Sequence, residues 1–200
     1  MIFLEKSSQQ EMVAEWLKGE MWSKRFSGPL KKILRKFKQG QGVVNNPKLD
    51  NKRENVLRKK ILFTYRKDIL RGFPKNITWQ KVTLNLYDLE KIKYINYSYW
   101  NELSGGTRLA KKAIETIDKN VRIFGQNNRQ FNEAARHVAK HGFFPKMILI
   151  STQPGAPVVV LEGHLRLTAY LMAPEAIPNK LIAFIGYSPE FSGWDLYQKC

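Results

Sequence analysis

The residues best suited to chemistry form one short run, Glu162-Gly163-His164-Leu165-Arg166. Upstream, the apolar residues Val158 to Leu161 predict a buried strand; downstream, Leu165, Leu167, Ala169, Tyr170 and Leu171 predict a short helix that closes at Pro174. A glycine at such a junction lets backbone approach a ligand closely, and a helix start offers unpaired N–H groups with a partial positive charge. Arg166, in the first turn, can meet a phosphate with a two-pronged hydrogen bond. His164 can donate to phosphate or exchange a proton near neutral pH. Glu162 is placed to hold Mg2+ or to act as a base, and Thr168 adds a hydroxyl one turn further on. Two outcomes stay open on these residues alone. One is a phosphate site with Glu162 and His164 as catalytic residues; the other is a capped helix closed by a Glu162–Arg166 salt bridge.

A second candidate precedes another helix. Ser104-Gly105-Gly106-Thr107-Arg108 leads into Ala110, Ala113, Ile114 and Ile117 at helical spacing. Gly105, Gly106, Thr107 and Arg108 can bind an anion through backbone N–H groups, or Thr107 can serve as a plain cap. The aromatics Tyr94, Tyr97, Tyr99 and Trp100 suit base stacking or packing against a sheet.

These residues must be positioned by a mixed set of elements. Trp79 to Leu86 predicts a strand, and Asp88 to Lys93 a turn or short helix. Phe131, Ala134, Ala135 and Val138 predict a helix stopped by His141-Gly142. Strands follow at Lys146 to Ser151 and Val158 to Leu161, separated by the turn-forming Gln153-Pro-Gly-Ala-Pro157. Leu181 to Ile185 predicts a last strand ended by Gly186.

The other signal is charge. The chain has 200 residues with 34 Lys+Arg against 17 Asp+Glu, a net of +17. Residues 24 to 75 hold 17 of the cations and three of the carboxylates, so a basic N-terminal region precedes a nearly balanced one. Its first helix, about Gln9 to Trp22, carries Met12, Val13, Trp16 and Leu17 as a core stripe. The next buries Leu30, Ile33, Leu34 and Phe37 and leaves Lys31, Lys32, Arg35 and Lys36 largely off that face. A further helix, about Asn51 to Leu70, is predicted to bury Val56, Ile61, Leu62 and Tyr65 and to expose Arg53, Arg58, Lys59, Lys60, Arg66 and Lys67. Ordinary solvated faces mix signs, whereas seventeen cations facing three anions repel one another unless a polyanion supplies counter-charge. Lys31, Lys32, Arg35, Lys36, Arg58, Lys59 and Lys60 are therefore candidate nucleic-acid contacts, mainly to phosphates and independent of sequence. An acidic protein partner or an anionic membrane surface meets the same charge requirement.

At residues 162 to 169 the chain resembles the ParB/sulfiredoxin superfamily, whose nucleotide-binding element reads Gly-x-x-Arg-x-x-Ala after a strand; Gly163, Arg166 and Ala169 fit it. The order around it is also similar: a helix ending at His141-Gly142, then Phe143-Phe144-Pro145, strand, turn, strand, motif helix, and a closing strand after Ile177-Pro178. Within the superfamily the run is most similar to the Asp-Gly-His-Thr-Arg of ADP-dependent free-serine kinases. His164 stands where sulfiredoxin has its cysteine, so the resemblance does not extend to sulfinate reduction. Against the partition proteins the Gln of Gly-x-x-Gln-Pro is missing and no helix-turn-helix follows. The resemblance implies an α+β fold, a small mixed sheet with flanking helices, over 77–187, behind a basic helical region over 1–76 and ahead of a tail over 188–200. It implies a nucleotide (ATP, ADP or CTP) with Mg2+ on Glu162. The expected activity is that of a nucleoside triphosphatase, phosphotransferase or nuclease working on or near nucleic acid. The alternative expectation is a non-catalytic nucleic-acid-binding protein with a vestigial nucleotide pocket.

Apolar runs of four residues predict no membrane span. The opening Met-Ile-Phe-Leu-Glu lacks the features of a secretory signal. A single cysteine, Cys200, allows no intrachain disulfide and is expected to be an inert thiol. A cytoplasmic location is the expectation.

Overall fold

A computed structural model describes residues 1–142 and 144–198. Phe143, part of the superfamily resemblance, and Cys200 lie outside the described residues. The chain divides into two compact units, one built from Met1–Lys6 with Pro74–Cys200 and one from Ser7–Phe73.

The smaller unit is helical: α1 (Gln9–Trp22), α2 (Ser27–Lys36), α3 (Gly42–Asn45), α4 (Lys52–Tyr65) and α5 (Lys67–Leu70). Ser8 and Glu11 form a reciprocal capping box that starts α1, and Asn51 accepts from the Glu54 N–H to start α4. Met12, Val13, Trp16 and Leu17 meet Leu30, Leu34, Val44, Ile61 and Leu62 in the unit's buried set. A buried carboxylate, Glu20, sits among them. It accepts from the Trp16 indole at 3.0 Å and from Tyr65 Oη at 3.4 Å and pairs with Arg66. Burial first and the Glu20 charge second push the Tyr65 phenol well above its usual range.

The larger unit carries β1 (Ile2–Lys6), β2 (Thr78–Leu84), α6 (Leu86–Lys91), β3 (Lys93–Tyr94), α7 (Ser98–Leu103), α8 (Ala110–Asp118), α9 (Arg129–His141), β4 (Met147–Ser151), β5 (Val159–Glu162), α10 (His164–Met172) and β6 (Leu181–Tyr187). Its strands form one mixed sheet in the order β1-β2-β6-β4-β5-β3. The β1–β2, β2–β6 and β4–β5 pairs are antiparallel, and β4–β6 and β3–β5 are parallel. The unit is therefore α+β. β4, Met-Ile-Leu-Ile-Ser, is buried at every position, as a central strand covered on both faces must be. Leu89, Tyr94, Ala113, Ile117, Phe131, Val138, Leu167 and Tyr170 close the core against Val82, Leu149, Val160 and Ile185.

Three local expectations change. β1 is an added sheet strand inside the stretch assigned to the basic region. Its residues alternate between two exposed faces, so burial periodicity carries no trace of it. Gly186 does not end the last strand: it pairs with Trp79 within β6, and a Cβ there would lie 2.7–2.9 Å from the Ile77 side chain and the Trp79 ring. Within the segment expected as a tail, residues 188–198 pack onto the unit: Phe191, Trp194 and Tyr197 are buried and Tyr197 Oη donates to the Pro157 carbonyl at 2.7 Å.

Candidate functional site

The β5–α10 junction forms as its residue types require. Gly163 is the residue before α10 and has φ 108°, in the left-handed region that favours glycine. A Cβ on it would fall 2.9 Å from Met147 Cγ and 3.3 Å from Arg166 Nε. The glycine is thus required twice, by backbone conformation and by the β4 side chain packed over it. The space above Gly163 is filled by protein.

The charges at the junction face one another. The Arg166 guanidinium, on a residue only 8% exposed, pairs with Glu162 and donates to the carbonyls of Pro145 at 2.6 Å and Lys146 at 2.9 Å. Arg166 ties α10 to β5 and to the segment entering β4. His164 is buried and its ring stacks on Trp100, with centroids 4.6 Å apart and planes 9° from parallel. Thr168 is fully buried and donates to the His164 carbonyl at 2.8 Å. Because that uses the hydroxyl's one proton, the contact of 2.6 Å with Tyr94 Oη has Tyr94 as the donor. Burial pushes the Tyr94 phenol well above its usual value, keeping it protonated for this role.

One sequence expectation at this site is corrected. Thr168 does not face a ligand; it links β3 to α10 inside the core. The Glu162 carboxylate is held by Arg166, so a Mg2+ ion bound there would have to compete with the guanidinium.

The glycine loop is also corrected. Gly105 and Gly106 donate to the Glu102 and Asn101 carbonyls at 3.2 and 2.7 Å, Thr107 to the Ser104 carbonyl at 3.3 Å, and the Arg108 N–H to Ser104 Oγ at 2.8 Å. Those amides are committed inside the loop, so they make no anion cradle. The cap before α8 is Leu109, two residues beyond Thr107, whose hydroxyl stays within the turn. The Arg108 guanidinium, buried, donates to the carbonyls of Tyr94 and Gln198 at 2.7 and 3.0 Å. It fastens the C-terminal segment beside β3. Three of the four clustered aromatics pack: Tyr94 is buried in the core with Trp100 4.7 Å away against it, and Tyr99 meets Trp100 edge-on, while Tyr97 is exposed.

The helical unit is different. It holds 17 Lys+Arg and six Asp+Glu, a net of +11. Lys31, Lys32, Arg35 and Lys36 are all exposed on α2, with Leu30 and Leu34 on its buried face. None of the four makes an ion pair among the described residues, and no carboxylate occurs between Glu20 and Asp50. Lys31, Leu34, Arg35, Gln39, Gly40 and Gln41 line a shallow open hollow. Lys59 and Lys60 are exposed on α4, Lys59 reaching Gln9 at 2.9 Å.

Arg58 does not belong with them. It was expected on the solvent side and is 0% exposed, whereas Val56, expected inside, is 69% exposed. Arg58 donates to Glu54 at 2.9 Å, to the Val43 carbonyl at 3.3 Å and to the Lys48 carbonyl at 2.9 Å, and also to Asn55. It clamps the α3 segment onto α4. Ile61 and Leu62 are buried as expected, and Arg58 takes the inward place that apolar counting assigns to Val56 because it brings both length and donors to that interior. Trp22 is exposed as well. Trp22 ends α1 and lies off the Met12–Val13–Trp16–Leu17 stripe, the signal that would have placed it outward. No protein-family model, curated protein or solved structure matches the chain.

Proposed function

We propose that this is a nucleic-acid-binding protein whose helical unit contacts phosphates, without catalysis at the β5–α10 junction. The observation that carries the reading is α2, with four exposed, unpaired cations on a helix that has no carboxylate. Packing Leu30 and Leu34 into the unit fixes that helix, so the cations are held as a group. Like charges at this density lower stability on their own and are relieved when a polyanion brings counter-charge. The proposed contact is to the backbone of the nucleic acid and carries no base recognition. At the junction, Arg166 is paired with Glu162 and donates to two carbonyls, which supports a junction without hydrolytic machinery.

The test is the salt dependence of binding to a fluorescently labelled duplex. Replacing Lys31, Lys32, Arg35 and Lys36 together by Ala should lower the log–log salt slope by up to about 3.5, at about 0.9 per phosphate contact. An unchanged slope with the helical content intact would remove α2 from the interface.

A second reading follows the ParB/sulfiredoxin resemblance: a nucleotide phosphate at the start of α10. It is favoured by the strand, left-handed glycine and helix with Arg166 in its first turn, which occur in the order the resemblance implies. It requires phosphate to displace Glu162 from Arg166. Thermal stabilisation of the protein by a panel of nucleoside di- and triphosphates tests it, since a ligand that binds only the folded form raises the melting temperature. No shift with any of them removes this reading.

A further inference from the structure

We propose that the turn between α8 and α9 is a second nucleic-acid contact, in which Phe124 stacks on an unpaired base and Arg122 and Arg129 meet the phosphates beside it. This rests on the nucleic-acid reading above and adds a contact to a base, made by the larger unit. Ile123 and Gln126 exchange backbone hydrogen bonds of 3.1 and 2.9 Å around Phe124 and Gly125, whose φ angles are 48° and 74°. A two-residue turn with both central residues in the left-handed region is of type I′, which favours Asn-Gly. Phe124 occupies the Asn position, where a bulky side chain on a left-handed backbone is an outlier. No packing offsets that strain: Phe124 is 65% exposed and its ring meets no other ring or cation among the described residues.

The turn is anchored on both sides of the ring. Ile123 and Asn128 are buried, and Asn128 Nδ2 donates to the Val121 carbonyl at 2.9 Å. Arg122 and Arg129 are exposed and form no ion pair among the described residues, and no carboxylate occurs between Asp118 and Glu133. Backbone strain of this kind gathers where a ligand or partner is met. An aromatic ring set between cations suits a nucleic-acid strand, because base–aromatic stacking adds to phosphate contacts and accepts the π-face of any base. A pocket on a partner protein accepts the ring and leaves the two guanidinium groups without a role. A lipid surface fits less well, since interfacial insertion needs an extended apolar face and the turn exposes only Val121 and Phe124 as large apolar residues.

The experiment uses the full chain at one fixed ionic strength, with labelled oligothymidylate of about a dozen nucleotides, an abasic strand of the same length that keeps every phosphate, and vesicles of phosphatidylserine with phosphatidylcholine. Binding is read by anisotropy for the strands and by co-sedimentation for the vesicles. The thymidylate should bind more tightly than the abasic strand. Phe124→Asn should raise the melting temperature by about 2–4 °C, because it gives the turn the residue it favours. The same variant should weaken thymidylate binding about tenfold and change abasic-strand binding by less than about twofold. Phe124→Tyr should keep both the affinity and the lower melting temperature. Equal binding of the two strands with Phe124→Asn neutral would overturn the stacking proposal and leave the phosphate-contact reading standing. Absence of binding to either strand would remove both. A melting temperature lowered by Phe124→Asn would mean that the ring supports the fold and would overturn the proposal. Vesicle binding that Phe124→Asn abolishes, with strand binding unchanged, would overturn it in favour of a lipid surface.

Discussion

Arg166 and Arg58 are each the kind of residue that draws attention in a basic protein, and each is turned inward. Arg166 is matched by Glu162 and two carbonyls, Arg58 by Glu54 and two carbonyls. A buried guanidinium stays charged, so acceptors must meet most of its donors; those on the two terminal nitrogens of Arg58 are met, while its buried Nε has no acceptor. Arg58→Met should therefore destabilise the protein by about 2–4 kcal/mol, as removal of one partner from a buried ionic cluster does, whereas Lys59→Ala next to it should change stability by less than about 0.5 kcal/mol. Urea unfolding of the two variants checks the contrast. If the second functional reading holds, Glu162→Gln should tighten nucleotide binding by removing both the competitor for Arg166 and a carboxylate that repels phosphate. Titration calorimetry reads the sign, and weaker binding would mean that Glu162 holds the ligand instead. Gly163→Ala should cost about 1–3 kcal/mol, because it combines a left-handed φ with a Cβ directed at Met147. Thermal unfolding measures it.

At the scale of elements, the β3–α10 contact is made by a buried hydroxyl network. Tyr94 Oη donates to Thr168 Oγ1, which donates to the His164 carbonyl in the first turn of α10. The helix start is thereby held from below while Trp100 covers the His164 ring. Tyr94→Phe removes the first donor without changing the ring and should cost about 1 kcal/mol at neutral pH. Much of the arrangement was legible in advance. The strand, turn, strand and helix from residue 146 to 172 follow from apolar runs punctuated by Pro154, Gly155, Pro157, Gly163 and Pro174. α9 ends where His141-Gly142 announces it, with Gly142 at φ 72° donating to the Val138 carbonyl at 2.7 Å. β1 and the short α3 were not legible. One is exposed on both faces and the other is a four-residue turn, so neither leaves a hydrophobic period.

For the molecule as a whole, the net charge of +17 is divided between the units as +11 and +6, and the concentration of cations within α2 is the feature on which the proposed function rests. The larger unit makes its own pH signature. Burial raises the phenols of Tyr94, Tyr170 and Tyr187 above the usual value of about 10. In the unfolded chain these groups lose their protons near pH 10, while in the folded chain they keep them. Stability from this source is therefore fully present below about pH 10 and is lost as the pH rises from there towards the folded values. Thermal melts between about pH 8 and 11 should show the melting temperature falling at the alkaline end, and Tyr94→Phe should reduce the slope of that fall. A slope unchanged in the variant would assign the alkaline loss to the remaining raised phenols, Tyr65, Tyr170 and Tyr187.

Composition and spacing by themselves determined that the chain folds around an apolar core, that its cations gather ahead of Pro74, and that a strand, a glycine and a helix meet at residues 162 to 166. Those properties depend on which residue types lie near one another along the chain. Only the tertiary structure decided that Arg166, Arg108 and Arg58 turn inward, that the amides of Gly105 and Gly106 are already bonded, and that Trp22 faces outward. A guanidinium reads identically in sequence whether it meets solvent, phosphate or a buried carbonyl. What separates these fates is the set of acceptors brought near it by distant segments: Pro145 and Lys146 for Arg166, Gln198 for Arg108, Val43 for Arg58.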